Sequence, residues 1–375
     1  MSIATQIERI QNLVGELRTN IQAKGVSLAN DADLETCVDA VAEINTSGSG
    51  GGSSSTTIGD DYLCFENTST RNSMTIKTRQ KFWMDDGHHV NANTNFFKKI
   101  DGYTLEYSTD KITWHEVDAA PTSYSTSGMK EIYVIPAGGK VYIRSNKNRI
   151  TYKVYNNNIY WNGVCFYGYS DTENGKVRIS GNVCSLVDNG LNTEYTQEWQ
   201  FAGLFWGAMW MSAENLTLPE CRTTGCFSQM FYGCTNLTGV LPRLPSTKLT
   251  NKCYTYMFYN CTGLGSGSTL PELPATTLKP YCYDYMFYGC TGITTAPVLP
   301  ATTLVEGCYN AMFYSCSNLN YIKAMFTTTP SATYTSNWVQ GVATYGTFVK
   351  NSAATWTDTG SHSVPANWTI QTASA

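Results

Sequence analysis

Charge is scarce in this 375-residue chain: 14% of its residues are charged, with 25 basic side chains against 29 acidic ones. A formal net charge of −4 offers no general face for a polyanion, so nucleic acid is not an expected partner. Long apolar runs are missing as well. None approaches the roughly 18 residues needed to cross a bilayer, so no membrane insertion is expected. The opening MSIATQIERIQ lacks a basic stretch followed by an apolar one, and no secretory signal is expected. Histidine is rare, four in all, and no GxSxG, HExxH, phosphate-loop or GxGxxG pattern occurs. Adjacent acids, Asp60-Asp61 and Asp85-Asp86, read as solvated loops, since an acid and a base must stand a set distance apart. His88-His89 follow Asp85-Asp86-Gly87, but neighbours on an extended segment point to opposite faces, so a metal reading is weak. The expectation is a non-enzymatic protein with no catalytic, metal or cofactor residues.

What is abundant is aromatic and apolar. Tyrosine numbers 25, phenylalanine 14 and tryptophan 9, within a hydrophobic fraction of 42%. Residues 1–44 predict helix. Ile3, Ile7, Ile10, Val14, Leu17 and Ile21 fall at alternating steps of four and three, a heptad seam. A helix of about 22 residues would be roughly 33 Å long and marginal alone. Ile at both seam positions favours a homo-oligomer of three or four strands, with a trimer as the first reading. An intrachain helical hairpin, with a second helix over Leu34, Cys37, Val38, Val41 and Ile44, is the alternative. Residues 45–59, NTSGSGGGSSSTTIG, predict a flexible linker. From 60 to 195, period-two segments such as Lys140-Val141-Tyr142-Ile143-Arg144, divided by turns such as Ala137-Gly138-Gly139, predict a β-sandwich-like domain.

The strongest signal is a repeat. Cys226–Cys234 (CFSQMFYGC), Cys253–Cys261 (CYTYMFYNC), Cys282–Cys290 (CYDYMFYGC) and Cys308–Cys316 (CYNAMFYSC) share C-x7-C with Met-Phe-Tyr inside. An imperfect copy, Leu204-Phe205-Trp206-Gly207-Ala208, precedes them. Periods of this length predict a solenoid over 196–326, each coil hiding its apolar side against the next. Residues 327–375 lack the repeat and predict a β-rich cap. The nine residues of each block predict about two and a half helical turns. Cysteines eight apart would then lie about 12 Å from each other, too far for a disulfide within a block. Buried thiol ladders are the leading reading, and bridges between neighbouring repeats stay open.

These blocks resemble BspA-type leucine-rich repeats, in the match Met286-Phe287-Tyr288-Gly289-Cys290-Thr291-Gly292-Ile293 running to Leu299-Pro300. The LPATTL wording is similar to repeats on fibre and receptor-binding proteins of gut phages, crAss-like phages included. Ala4-Thr5-Gln6-Ile7-Glu8-Arg9-Ile10 and Ala23-Lys24-Gly25-Val26 are similar to anchor segments of phage tail and head fibres. The resemblance covers 1–44 and roughly 204–326. It implies a virion structural protein made in the bacterial cytoplasm: a short fibre on tail or capsid, held by other virion proteins through its N-terminus. It also implies a host-surface glycan or protein as the bound partner. A capsid decoration without a receptor and a bacterial surface adhesin are the alternatives.

The expected fold class is thus multidomain α + β: a helical anchor (coiled coil or hairpin), a β-sandwich-like middle domain, and a leucine-rich-repeat solenoid with a β-rich cap. Only nine charged residues occur between Cys221 and Phe326, so the solenoid face should be Tyr, Thr, Ser, Asn and Gly. Tyrosine faces can lie against neutral sugar rings. The candidate binding residues are Tyr254, Tyr256, Tyr283, Tyr285 and Tyr309, half or more of which could instead pack between coils.

Overall fold

The computed structural model describes residues 61–70, 72–84, 105–117, 129–145, 151–155, 158–169, 177–187, 198–208, 210–265 and 267–373. They belong to a compact unit that runs from Ser55 to Ala375. The seam from Ile3 to Ile21, the 45–59 linker, Asp60, Asp85, Asp86, His88 and His89 lie outside the described residues.

Two sheets face each other in the N-terminal part. One joins β1 (Leu63–Asn67), β3 (Leu105–Ser108), β4 (His115–Val117), β6 (Lys140–Ser145), β9 (Val177–Asn182) and β10 (Trp210–Thr217), in the order β10-β9-β1-β6-β3-β4. The other joins β2 (Met74–Met84), β5 (Met129–Ile135), β7 (Thr151–Tyr155) and β8 (Asn158–Tyr169), in the order β5-β2-β8-β7. All pairings are antiparallel except β10 with β9. Alternation sets the faces: in β9, Val177 and Ile179 are buried while Arg178 and Ser180 are half-buried. Phe65 of β1 meets Phe166 of β8 across the gap, with ring centroids 5.3 Å apart. Each such ring contributes roughly 1.5–3 kcal/mol on full burial.

The repeat begins earlier than its cysteines. Coils at 199–208, 225–234, 252–261, 281–290 and 307–316 stack in register, and the first shares the sandwich core. Phe205 lies 6.4 Å from both Phe65 and Phe166, and the Phe166 N–H donates to the Leu204 carbonyl at 2.8 Å. The core is therefore continuous from Leu63 to Trp368.

Each coil is a ribbon of tight turns. A left-handed residue recurs at every fourth position: Trp199, Gly203 and Gly207; Gly225, Gln229 and Gly233; Lys252, Tyr256 and Asn260; Tyr281, Tyr285 and Gly289; Gly307, Ala311 and Ser315. In the 252–261 coil, the N–H groups of Tyr254, Tyr256, Phe258 and Asn260 donate to Cys282, Asp284, Met286 and Tyr288 of the next coil, at 2.7–3.0 Å. The intervening N–H groups of Thr255, Met257, Tyr259 and Cys261 donate three residues back along their own chain. Carbonyls of Cys253, Thr255, Met257 and Tyr259 accept from the preceding coil. Every buried amide from Tyr254 to Cys261 is thus satisfied, half of them by the neighbour.

The same ladder carries past residue 316. Tyr309, Ala311, Phe313 and Ser315 donate to Tyr334, Ser336, Trp338 and Gln340, so Trp338 takes the place of the repeating Met. β11 (Tyr321–Ala324), β12 (Thr347–Lys350) and β13 (Thr369–Thr372) form a parallel three-stranded sheet alongside.

The expected α + β class is corrected by this architecture. Among the described residues, helix is confined to one turn of α-helix, α1 (Ala332–Thr335), and one 3-10 turn at Val183–Leu186; the rest is strand and turn in mixed sheets. The repeat blocks are not helices because a left-handed residue every four positions breaks the helical path. An α-helix would also keep its amide hydrogens to itself, leaving none for the next coil. A helical anchor finds no support in the described residues.

Candidate interaction surface

Stacking repeats every side chain of a coil directly over its counterpart, so the coil sequence becomes a set of columns. Phe205, Phe231, Phe258, Phe287 and Phe313 form one inner column, with successive ring centroids 5.2–6.0 Å apart. A second runs through Phe201, Phe227, Tyr254, Tyr283 and Tyr309 at 5.6–5.9 Å. Three of the five expected binding tyrosines, Tyr254, Tyr283 and Tyr309, are therefore core residues, fully buried between coils. Tyr254 donates its hydroxyl to Ser246 at 3.2 Å.

The outer surface carries two further columns. Trp206, Tyr232, Tyr259, Tyr288 and Tyr314 stack half-buried, the tyrosine rings 4.5–4.7 Å apart and within 10° of parallel. Beside them Tyr256 and Tyr285 stack at 4.6 Å, and each also touches the first column, at 5.5 Å to Tyr259 and 5.6 Å to Tyr288. The structure therefore brings Tyr256 and Tyr285 into one aromatic patch. The main column, Tyr232, Tyr259, Tyr288 and Tyr314, is not among the residues expected from the sequence. Its signal was the invariant third letter of Met-Phe-Tyr, which a helical register did not set apart from the packed positions.

The stacking dictates what the patch can do. Within the column, each of Tyr259 and Tyr288 has both faces covered by neighbouring rings, so the expected face-on contact with sugar rings is not open there. Edges and hydroxyls remain, in a row with the spacing of the coils. Burial raises the pKa of Tyr232, Tyr259, Tyr256 and Tyr285, and hydrogen bonding from Tyr232 and Tyr288 adds to the rise at Tyr259. Tyr232, Tyr256, Tyr259 and Tyr285 are therefore neutral phenols at ordinary pH, able both to donate and to accept.

Next to the patch runs a polar column: Ser228, Thr255 and Asp284, which are buried, and Asn310, which is half-buried. Ser228 donates to the Thr255 carbonyl at 3.1 Å and Thr255 to the Tyr281 carbonyl at 2.6 Å. Asp284 is 8% exposed, and one of its carboxyl oxygens has no hydrogen-bond partner. Burial pushes this carboxyl up to about 7, against the lowering influence of Asn310 and Lys252.

The twelve described cysteines are buried and none of them is in a disulfide. Cys234, Cys261, Cys290 and Cys316 each donate a thiol hydrogen to the Phe carbonyl of the preceding coil, at 3.0–3.1 Å. Among the described residues no group of three or more His, Cys, Asp or Glu is arranged to hold a metal. Compared with family models, with curated proteins and with solved structures, the chain matches none.

Proposed function

We propose that this chain is a non-enzymatic attachment protein, a short virion fibre that engages a host-surface glycan or protein through the outer tyrosine columns of its solenoid. The observation that carries the reading is the row Tyr232, Tyr259, Tyr288 and Tyr314, four half-buried rings at 4.5–4.7 Å spacing. Half-buried tyrosine combines large contact area with little conformational freedom to lose, which suits recognition. The solenoid carries few charged side chains and the hydroxyls of the row recur at a fixed step, so the ligand that fits is extended, uncharged and rich in hydroxyl or amide groups. A polysaccharide laid along the solenoid meets that description, with water bridging the contacts that do not match. The virion setting rests on the resemblance of the repeats to phage fibre proteins.

The experiment is a binding screen of the purified protein against immobilised bacterial capsule and cell-wall glycans, with intact host cells in parallel. Saturable binding to cells or to a neutral glycan is the expected result. Binding to neither would favour the architectural decoration.

A further inference from the structure

The outer columns hold phenol rings in a face contact that docking alone does not use. Tyr232–Tyr259 and Tyr259–Tyr288 stand 4.5 Å apart at 8° and 10° to parallel, Tyr288–Tyr314 4.7 Å apart at 3°, and Tyr256–Tyr285 4.6 Å apart at 12°. These spacings lie at the close limit for stacked rings. Each pair joins two neighbouring coils, and the backbone fixes its register. The N–H groups of Gly233, Asn260 and Gly289 donate to the carbonyls of Tyr259, Tyr288 and Tyr314 in the next coil, at 2.7–2.8 Å.

The inner tyrosine column supplies the contrast. Tyr254, Tyr283 and Tyr309 are just as parallel, at 5° and 8°, but their rings are 5.8 and 5.9 Å apart and fully buried. An enclosed ring is not reached from solvent and has no room to pivot toward its neighbour. The six outer tyrosines are half-buried, so both are open to them.

We propose that the outer tyrosine columns are sites of oxidative cross-linking, in which a haem peroxidase and peroxide join neighbouring coils of the folded chain through a dityrosine bond. Each of two stacked phenols gives up one electron and one proton, leaving a phenoxyl radical whose unpaired spin lies partly on the ring carbons beside the C–O carbon. Face contact means that the two radicals need no diffusion to meet. They pair to form a carbon–carbon bond between those positions, and the hydrogen on each bonded carbon moves to its phenol oxygen. The chain loses two hydrogens in all. One peroxide accepts the two electrons and two protons and leaves as two waters. The bond adds a covalent rung to a stack otherwise held by hydrogen bonds and packing. The inference stands on the stacking geometry and holds whether or not the row docks a glycan.

The test treats the full-length folded protein with a haem peroxidase and hydrogen peroxide, then maps its peptides by mass spectrometry. The expected product runs as a single chain on a denaturing gel and has lost two hydrogens for each cross-link. Those links join Tyr232 to Tyr259, Tyr259 to Tyr288, Tyr288 to Tyr314 or Tyr256 to Tyr285. Tyr259→Phe/Tyr288→Phe keeps the rings in the stack but removes two phenols, and should lose every link except Tyr256–Tyr285. Wild type treated in urea should lose the preference for these pairs. Absence of dityrosine within the folded chain, links formed only between separate chains, or links through Tyr254, Tyr283 or Tyr309 would overturn the proposal. The wild-type map decides this whatever the double variant does to folding.

Discussion

The sandwich and the solenoid bury their apolar cores by opposite means. In the sandwich, β1 pairs with β6 and β9, strands about 80 and 115 residues further along, and partners exchange hydrogen bonds in both directions. In the solenoid, each coil passes its hydrogen bonds to the next, 26 to 29 residues on, and the amide hydrogens that cross between coils all point the same way, toward the C-terminal end. The sandwich is thus cooperative across its whole width, while the solenoid is a sum of nearest-neighbour terms. The two are fused through Phe65, Phe166 and Phe205, so the first coil is where local and global stability meet.

Substitution at that joint should have the largest effect. Phe205→Ala removes a ring enclosed by both regions and should cost about 3–5 kcal/mol. Denaturant unfolding followed by amide exchange should show both regions losing protection. Phe313→Ala, four coils away, should cost a similar amount but leave exchange in the sandwich unchanged. Equal loss in the sandwich from both variants would break the comparison.

Next comes the buried carboxyl. Folded Asp284 keeps its proton up to about 7, whereas the ordinary value is 3.8. Between those values the folded chain binds the extra proton, so stability falls as pH rises through the window, and the loss is complete above about 7. Its size is at most about 4 kcal/mol. Asp284→Asn should remove the pH dependence and raise the melting temperature at pH 8, while leaving it little changed at pH 4. A melting temperature that rises with pH between 4 and 7 in the wild type, and not in the variant, would contradict the assignment.

Smaller still are the left-handed positions. A Cβ at Gly225 would sit 2.1 Å from the Trp199 ring, whereas at Gly207 it would meet open space, and both have positive φ. Gly207→Ala should therefore cost only the backbone penalty, about 1–2 kcal/mol, and Gly225→Ala visibly more. Thermal melts of the two single variants measure the difference, and equal melting temperatures would argue against close coil-on-coil stacking.

How far these features were legible in the sequence differs between the two regions in the same way. Period-two alternation in Lys140–Ser145 and Val177–Asn182 marks strands because burial on one face acts on every second residue. It does not say that β10, lying after the first coil, returns to pair with β9. In the solenoid, Cys-x7-Cys and Met-Phe-Tyr fix the stacking register, since each coil repeats the side chains its neighbour must meet. The turn ribbon was not legible. Its left-handed positions are glycine in some coils, as at Gly225 and Gly233, but Lys252, Tyr256, Tyr281 and Tyr285 in others, and those residues alone suggest helix. That error put Tyr254, Tyr283 and Tyr309 on the outside, because helical spacing gives a different inner face from a four-residue turn. The last coil was hidden for another reason: Trp338 fills the Met position with none of the repeat's words around it.

The central claim is that the outer tyrosine column is the docking surface. It is tested most directly by comparing host-cell binding of wild type with Tyr259→Ser/Tyr288→Ser and with Tyr345→Ser, each verified as folded. Tyr345 is 73% exposed but stands apart from the column. The account predicts that the double variant loses at least tenfold in affinity, about 1.4 kcal/mol, while Tyr345→Ser binds like wild type. Undiminished binding by the double variant would contradict it.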